Sequence, residues 1–545
     1  MSSLHSTSTP APNDPVESFD ALIIGAGIAG LYQLHKLREL GLNVRVFEAG
    51  SGVGGTWYWN RYPGARFDSE SYTYGYEFSE SLLAEWDWSE HFSAQPETLR
   101  YLEHVADKLD LRCDIHFNSR VRSAHYQAST NSWEVTTHDG VRARAHYLIT
   151  AVGVLSAPYT PDIPGIAEFQ GRSWHTSHWP HTAVDLSNQR VAVIGAGATA
   201  VQLITEVAKN VGQLTVFQRT ANFCVPLNNR PIPATEQLAL KARYAEMFAR
   251  CRETYGAFIH DFDPRSIFDV TDSERTEIFE RLWLEPGFGF WLGNFHDIMT
   301  DEKANELIAE FVRKKISERV TDPETAERLT PRDHCFGTKR VPLESGYYEA
   351  YNRPNVQLVD LKKTPIECLT RTGIKTSDAQ FEFDVIIFAT GFDAVTGALT
   401  RMDIRGEEGQ SLKEKWAEGP RTYLGLQVVG FPNLFTVVGA QNAANFCNVP
   451  RCIEQNVEWV TQCIRYLREH QFKRIRAMPV AEAEWGLHCE EVVANSLFLK
   501  TNSWFMGANI PGKKRAFLAY GGGLPRYRDK CEEVAAGGYI GFELE

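Results

Sequence analysis

Short apolar runs along this chain are followed by glycines and then by apolar residues at helical spacing. Residues 21–24 are apolar, residues 25–30 contain three glycines, and leucines then recur at helical intervals. This order predicts a strand, a tight turn and a helix. Gly25, Gly27 and Gly30 occupy the glycine positions of a dinucleotide-binding turn, in which bare backbone N–H groups and the helix N-terminus face a pyrophosphate.

The same pattern returns nearer the middle of the chain. Residues 191–194 are apolar, Gly195 and Gly197 follow, and apolar residues again recur on one helical face. Thr199 and Ala200 complete this turn, and alanine is acceptable at the third position because that position serves close helix–strand packing. The sequence therefore predicts a second dinucleotide-binding unit.

The two units differ at the residue that would meet the adenosine ribose. Glu48 lies 23 residues after the first glycine of its unit, whereas Gln218, followed by Arg219 and Thr220, holds the same place in the second. A carboxylate accepts from a ribose 2′-hydroxyl, whereas arginine pairs with a 2′-phosphate. The first site therefore suits FAD and the second suits NADPH. The alternative for Arg219 is a solvated charge at the end of a strand.

Together these units predict an α/β protein with two Rossmann-like dinucleotide-binding domains. Apolar runs that end in glycine, 147–153 and 384–391, mark crossings between the domains. Residues 434–439 precede a helix expected to begin near Ile453, with its N-terminus toward a flavin ring. The charged, helix-periodic stretch 225–335 predicts a helical insertion in the second domain. The expected division is a disordered tail 1–18, an FAD domain 19–152 and 391–545, an NADPH domain 153–224 and 336–390, and the insertion 225–335.

Charge and composition argue against several classes of binding partner. The 545-residue chain has a net charge of −13, which argues against nucleic acid or an anionic membrane as partner. No apolar run is long enough to span a bilayer, and the start of the chain lacks the features of a secretory signal. Ten cysteines without a CxxC pair predict reduced thiols and a cytoplasmic location, and disfavour a disulfide reductase. We expect a monomer or a weak homo-oligomer.

The stretch 169–180 narrows the reaction class. It reads FQGRSWHTSHWP and fits F-x-G-x-x-x-H-x-x-x-W-P just before the second glycine turn. This pattern resembles the signature of the flavin-dependent Baeyer–Villiger monooxygenases. Related N- and S-oxygenating flavin monooxygenases carry another aromatic residue where this chain has Trp179. The resemblance extends over nearly the whole chain after the tail and is closest to cyclic-ketone, phenylacetone and steroid-oxidising members. Further matching stretches are 54–68, 339–340, 389–393 and 502–512.

The resemblance implies a mechanism. In that family NADPH reduces FAD, O₂ adds at the flavin C4a position, and NADP⁺ stays bound while the peroxide attacks a ketone. Arg340 matches the family's essential arginine, whose charge keeps the peroxide anionic and stabilises the adduct. Asp68 matches the carboxylate that orients this arginine. Without the resemblance, Arg340 would be interpreted as one half of a structural ion pair.

Other site residues are implied in the same way. Lys339 matches the residue that joins Arg219 and Thr220 at the NADPH 2′-phosphate, and His175 is expected to hold the linker conformation without being catalytic. Trp504 matches a lid tryptophan over NADP⁺, with plain packing as the alternative. Phe67, where several relatives have a small residue, would add bulk to the flavin pocket wall. The residues expected around the flavin are Gly55, Thr56, Trp57, Asp68 and Tyr74. No metal is expected.

The expected activity is insertion of one oxygen atom of O₂ next to a ketone carbonyl, giving an ester or lactone, with sulfoxidation as a side reaction. One alternative is an N- or S-oxygenating flavin monooxygenase. Another is an idle nucleotide-binding module, against which the presence of Arg340 and Asp68 argues. The aromatic content of 12% favours bulky apolar ketones as substrates.

Overall fold

A computed structural model describes residues 16–443 and 447–545. Its strands are β1 (Glu17–Ile24), β2 (Val44–Phe47), β3 (Ile115–His116), β4 (Val121–Gln127), β5 (Ser132–Thr137), β6 (Arg142–Thr150), β7 (Arg172–His175), β8 (Arg190–Ile194), β9 (Gln213–Gln218), β10 (Val225–Pro226), β11 (Leu343–Glu344), β12 (Val356–Asp360), β13 (Ile366–Thr370), β14 (Gly373–Thr376), β15 (Gln380–Glu382), β16 (Val385–Phe388), β17 (Asp403–Arg405), β18 (Leu434–Thr436), β19 (Ile475–Ala477) and β20 (Phe542–Leu544).

The helices of the described residues are α1 (Ile28–Glu39), α2 (Thr56–Trp59), α3 (Ser71–Tyr74), α4 (Glu80–Glu85), α5 (Gln95–Lys108), α6 (Ala198–Val207), α7 (Ala234–Ala242), α8 (Tyr244–Glu253), α9 (Asp272–Leu284), α10 (Gly289–Leu292), α11 (Glu302–Arg319), α12 (Pro323–Leu329), α13 (Tyr347–Ala350), α14 (Gly397–Thr400), α15 (Leu412–Lys415), α16 (Val449–Glu469), α17 (Pro479–Glu491) and α18 (Leu524–Ala536). None of them combines the length and the apolar character that crossing a bilayer requires.

The first unit is built on an eight-stranded sheet in the order β17-β4-β5-β6-β1-β2-β3, with β18 also pairing with β6. Strand β1 pairs in parallel with β2 and β6, so the apolar run 21–24 lies in the middle of the sheet. The residues of this run are buried on both faces, which explains why they are continuously apolar. Helices α1 and α16 pack on the sheet, and their apolar residues share one core with β1 and β2.

The second unit is a five-stranded parallel sheet in the order β12-β9-β8-β16-β7. Its central strand β8 runs into the second glycine turn and then into α6, which repeats the order of β1 and α1. Both glycine turns therefore lie at the carboxyl ends of parallel strands, where ligands bind in α/β folds. The α/β fold with two Rossmann-like sheets is confirmed.

The start of the chain departs from the sequence expectation at two residues. The composition of residues 1–18 predicts a disordered tail, but β1 already begins at Glu17. Glu17 and Ser18 pair in parallel with Ala143 and Arg144, because extending the strand satisfies their backbone groups in the sheet ladder. Residues 1–15 lie outside the described residues.

Helix α16 also begins earlier than expected. It starts at Val449, four residues before Ile453, and carries Pro450 in its first turn. Proline suits this position because the first N–H groups of a helix have no partner within the helix.

The segment 225–335 is helical, as its periodicity predicts, and contains α7 to α12. Strand β10, at the start of this segment, pairs in parallel with β11, which follows the segment. Phe290 and Ile308 of this insertion belong to the same buried cluster as Val193 and Ile204 of the second unit. The insertion is thus packed on the second sheet and does not form a separate core.

A buried polar pair joins the insertion to the first unit. His260 Nε2 lies 2.8 Å from Oε1 of Glu70, whose side chain is only 1% exposed. Burial alone would lower the pKa of His260, but its hydrogen bond to Glu70 and the charges of Glu70 and Glu285 outweigh burial and raise it. The imidazolium form is therefore favoured in the folded protein, which links this contact to pH.

We expect His260→Gln to destabilise the protein most at low pH. A histidine whose folded pKa is raised contributes stability that is complete below its unfolded pKa, near 6.5, and is lost as pH rises through the folded pKa. The loss should be about 1–3 kcal/mol at pH 5.5 and smaller at pH 9, measured as unfolding midpoints of wild type and variant. His296→Gln, at an exposed histidine of the same insertion, is the control. A difference that grew with pH would contradict the assigned contact.

Candidate active site

The first glycine turn brings backbone atoms closer than side chains would allow. Gly25 has φ +103, and a Cβ on Gly30 would lie 1.8 Å from the carbonyl oxygen of Gly25. Gly27 faces Gly55, whose Cα would be 3.3 Å from a Cβ on Gly27. Gly27 is also the N-cap of α1 and offers no side-chain cap. The free N–H groups of this helix end therefore remain available for a pyrophosphate.

Glu48, at the end of β2, is already oriented by backbone donors. Its Oε2 accepts from the N–H of Ala26 at 2.7 Å, and its Oε1 accepts from the N–H of Gly50 at 2.7 Å. Burial raises the pKa of Glu48, while the Ala26 and Gly50 bonds act in the opposite direction. The carboxylate also lines a cavity of about 850 Å³, where its remaining lone pairs can accept hydrogen bonds from ribose hydroxyl groups.

The second glycine turn has the same construction. Gly195 has φ +127, and a Cβ there would lie 2.3 Å from the carbonyl oxygen of Ala389. A Cβ on Gly197 would meet no atom within 4 Å, so open space adjoins the uncapped start of α6. Ala200 is fully buried, as the packing position requires, and Thr199 lies in the first turn of α6. This end of α6 fits a second pyrophosphate.

Cations gather where the 2′-phosphate of NADPH is expected. Arg219 and Thr220 directly follow β9. Burial lowers the pKa of Lys339, the charges of Arg219 and Lys362 lower it further, and Asp333 opposes them. Positive groups that disfavour one another in this way are stabilised when a dianionic phosphate lies between them.

Asp68 and Arg340 form an ion pair at the cavity wall. Arg340 Nη2 lies 2.5 Å from Asp68 Oδ2; the aspartate side chain is 3% exposed and the arginine side chain 30% exposed. Burial raises the pKa of Asp68, while Arg340 and then Arg66 act to lower it. Arg340 Nη1 also donates to the Val341 carbonyl at 2.9 Å. The guanidinium is therefore fixed by acceptors on one side and open to the cavity on the other.

One cavity of about 850 Å³ connects these features on the first unit with Arg340. This volume is within the range of cofactor and substrate pockets. The expected site residues that line it are Gly25, Gly27, Glu48, Gly55, Thr56, Trp57, Asp68, Tyr74, Arg340 and Trp504. The expected site residues outside its lining are Gly30, Gly195, Gly197, Thr199, Ala200, Arg219, Thr220 and Lys339.

Aromatic side chains form the wall beside the glycine turn. Trp57 Nε1 donates to the Tyr74 hydroxyl at 3.1 Å. The rings of Phe67 and Tyr74 stack with centroids 4.1 Å apart, and Trp57 meets Phe67 edge-on at 5.7 Å. Burial raises the pKa of Tyr74, so its hydroxyl stays protonated at neutral pH. All three residues line the cavity, and Phe67 adds the bulk that the sequence predicts there.

Trp504 lines the cavity from a single 3-10 turn, Trp504–Met506. Its ring packs against Phe505 at 4.2 Å, and it also contacts a small buried cluster that contains Val395 and Leu518. It therefore combines a packing contact with a place at the cavity.

His175, at the end of β7, contacts the end of the crossing 384–391. Its Nδ1 accepts from the Ser177 backbone N–H at 3.2 Å, and its Nε2 lies 3.0 Å from the carbonyl oxygen of Gly391. Burial lowers the pKa of His175 to about 4, so the ring is neutral at pH 7 and the proton is assigned to Nε2. His175 is not among the described residues that line the cavity, which fits a linker contact better than catalysis.

The insertion contributes a cavity wall next to Arg340 that no sequence motif indicated. Phe258, Phe288, Trp291 and Leu292 all line the cavity, and the Phe288 ring centroid lies 5.3 Å from the guanidinium carbon of Arg340. In a helical segment such aromatics look like ordinary core residues. The sequence feature that marks this wall is local, because glycines at 287 and 289 flank Phe288. In the structure Gly287 has φ +64.

One cysteine pair departs from the prediction that the thiols are reduced. Cys447, in the loop 439–448, lines the cavity and is joined to Cys452 by a disulfide. The eight other cysteines are free. The side chain of Asn442 donates to Asn456 and Tyr527 in the interior, so it serves the fold. Residues 444–446 of this loop lie outside the described residues.

Comparison with known proteins places these observations in a family context. Residues 22–242 match the family model described as pyridine nucleotide-disulphide oxidoreductase. The chain is 46% identical over 539 residues to 2-oxo-Delta(3)-4,5,5-trimethylcyclopentenylacetyl-CoA monooxygenase of Pseudomonas putida, covering 97% of this chain and 98% of that protein. It is 43% identical over 524 residues to a Baeyer–Villiger monooxygenase of Pseudooceanicola batsensis, covering 96% and 95%.

A solved structure gives the same result in three dimensions. The crystal structure of OTEMO in complex with FAD and NADP is similar to this chain with a TM-score of 0.94 and 46% sequence identity. The similarity covers 97% of this chain and 100% of that one.

We expect Arg340→Met to make stability depend on the protonation of Asp68. Without its partner, the buried carboxylate has a higher pKa, so the variant should lose stability as pH rises through that value. At pH 8 the loss should reach about 3 kcal/mol and at pH 5 it should be smaller. Thermal unfolding across this pH range measures it. Adding Asp68→Asn should remove the pH dependence; a double variant as pH-sensitive as Arg340→Met would show that another group is responsible.

Proposed function

The chain belongs to the Baeyer–Villiger monooxygenase family, and on that premise we propose that Asp68 and Arg340 form its catalytic centre. The protein is an FAD- and NADPH-dependent enzyme that inserts one oxygen atom of O₂ next to a ketone carbonyl. One observation supports the catalytic proposal above all others. Arg340 lies in the same cavity as the first glycine turn and Glu48 and is held there by a buried carboxylate.

The two cofactors have distinct sets of residues to hold them. When bound, FAD and NADPH supply the electrons that activate O₂ for transfer of one oxygen atom. The residues proposed to hold FAD are Gly25, Gly27, Gly30, Glu48, Gly55, Thr56, Trp57 and Tyr74. The residues proposed to hold NADPH are Gly195, Gly197, Thr199, Ala200, Arg219, Thr220, Lys339 and Trp504. Both sets fit their ligands because each ends at an uncapped helix N-terminus beside glycine backbone.

Arg340 supplies a fixed positive charge where negative charge develops on the ketone oxygen. An arginine suits this task because it keeps its charge when water is excluded. Asp68 fixes its orientation, so little reorganisation is needed during the reaction. The cation does not have to leave the pair to act, because part of the guanidinium faces the cavity.

The wall next to Arg340 supports an apolar ketone as substrate. Phe258, Phe288, Trp291 and Leu292 surround this end of the cavity with hydrocarbon surface, and such surface favours bulky apolar groups over charged ones. Thioethers of similar shape are proposed as secondary substrates that would give sulfoxides.

Replacing Arg340 by alanine should separate the two halves of the reaction. We expect Arg340→Ala to retain flavin reduction by NADPH, followed as bleaching of the flavin absorbance. Ester or lactone formation, followed by gas chromatography, should fall by at least about 100-fold. Arg405→Ala is the matched control, since Arg405 pairs with Asp403 on the edge strand β17. Lactone formation by Arg340→Ala at near wild-type rate would refute the role given to Arg340.

Amine or sulfide oxidation by the wild type without any lactone would favour a heteroatom oxygenase.

Replacing either cation of the proposed 2′-phosphate site should weaken selection for NADPH. We expect Arg219→Ala and Lys339→Ala each to raise the KM for NADPH about 10-fold, the loss of one charge-assisted contact. The KM for NADH should stay within about 2-fold, because NADH lacks the phosphate. Lys209→Ala, at an exposed lysine just after α6, is the control. Equal increases for both nucleotides would place these cations elsewhere on the cofactor.

A further inference from the structure

A turn of the first unit lies directly on helix α6 of the second. Gly64, at the tip of this turn, has φ +85, and a Cβ there would lie 2.6 Å from the carbonyl oxygen of Gln202 and 2.9 Å from Cγ of Glu206. Such a distance to backbone leaves no room for a side chain. The turn and the helix are therefore in backbone contact, so neither can move toward the other without a steric clash.

Gln202 holds both ends of this turn with one amide group. Its Oε1 accepts from the Tyr62 hydroxyl at 2.8 Å. Its Nε2 donates to the carbonyl oxygen of Arg66 at 3.0 Å. A side chain of α6 is thus bonded to residues that precede and follow Gly64, and the second of these lies two positions before Asp68.

Tyr62 extends the connection toward the start of α6. It is buried, and burial raises its pKa, while a hydrogen bond with the Thr199 side chain opposes the rise. The charges of Asp68 and Arg340 also act on this phenol. Its hydroxyl therefore interacts both with the helix whose start is proposed to bind the NADPH pyrophosphate and with the charges of the proposed catalytic pair.

Arg66 links the far end of the turn to Asp68. Its Nη1 donates to Glu90 Oε2 at 3.2 Å and to the Phe92 carbonyl at 3.3 Å. Burial raises the pKa of Asp68, and the charge of Arg66, after that of Arg340, opposes this rise. The Arg66 carbonyl faces Gln202 while its side chain is held by a neighbouring segment. The backbone that leads into Asp68 therefore has few ways to move independently of α6.

We propose that Gln202 is a positioning residue that couples NADP(H) binding at the start of α6 to the arrangement of the Asp68–Arg340 pair. This inference rests on the proposed function. A bound nucleotide fixes α6, Gln202 transmits that position to the turn 62–66, and the turn sets Asp68. Coupling between two sites is reciprocal, so a change at Asp68 must alter NADP⁺ affinity through Gln202 by the same factor.

The test is a double-mutant cycle on NADP⁺ binding to the FAD-loaded enzyme, with no turnover. NADP⁺ dissociation constants are measured from the change in flavin absorbance for wild type, Asp68→Asn, Gln202→Met and the double variant. Methionine matches glutamine in length but makes neither bond. We expect Asp68→Asn to raise the dissociation constant about 10-fold when Gln202 is present and less than about 2-fold when it is methionine. Any direct contact of Asp68 with the nucleotide would contribute equally in both backgrounds and cancels in the ratio.

A second measurement gives the fraction of consumed NADPH whose electrons end in hydrogen peroxide and not in ester. Gln202→Met should keep the rate of flavin reduction by NADPH within about 2-fold of wild type, while hydrogen peroxide released per NADPH consumed rises several-fold. Thr205→Val is the matched control, because Thr205 is buried on the same helix and its hydroxyl donates to the Val201 carbonyl within that helix. We expect this control to leave the binding cycle and the peroxide yield unchanged.

Tyr62→Phe carries the test if Gln202→Met does not retain FAD, since it removes a single hydroxyl and keeps the ring. It should reduce the coupling to a value between those of wild type and Gln202→Met. Equal effects of Asp68→Asn with and without these side chains would overturn the coupling. The proposed function is tested separately with the wild-type protein. It would be overturned if the wild type formed no ester or lactone from any ketone.

Discussion

The buried ion pair between Asp68 and Arg340 is the contact on which the arrangement of the site depends. Asp68 follows the glycine-rich region of the first unit, whereas Arg340 lies in the segment that returns from the helical insertion toward the second sheet. A carboxylate that is 3% exposed costs several kcal/mol to bury unless a cation stays beside it. Part of the energetic penalty for separating the two units is therefore paid at the point where the chemistry is proposed to occur.

The glycine turns impose the second constraint, because they replace side chains with backbone contacts. A Cβ on Gly30 would overlap the Gly25 carbonyl, and a Cβ on Gly195 would overlap that of Ala389. Two further glycines of these turns, Gly27 and Gly197, are the N-caps of α1 and α6 and leave both helix N-termini without a side-chain cap. Strand–helix packing and the proposed nucleotide binding therefore depend on the same two turns.

The helical insertion supplies what neither sheet can. It shares the buried core of the second unit, is tied to the first through His260 and Glu70, and places Phe288 beside the guanidinium of Arg340. The aromatic wall covers one side of the guanidinium with hydrocarbon, which lowers the local dielectric constant there and strengthens its electrostatic effect. Gln202 adds a connection on the other side of the pair, from α6 to the turn before Asp68.

Local patterns in the sequence determined the strand–turn–helix units, their glycines, the contrast between Glu48 in the first unit and Gln218-Arg219 in the second, and the helical character of the insertion. These follow from side-chain period and from backbone conformations that only glycine adopts easily, both of which are short-range properties. The pairing of Asp68 with Arg340 was expected from family resemblance, since no local pattern joins residues so far apart in the chain. Only the tertiary structure revealed Phe288 at the cation, the Glu70–His260 pair and the bonds of Gln202. Each of these contacts joins different segments, and packing alone decides which side chains meet.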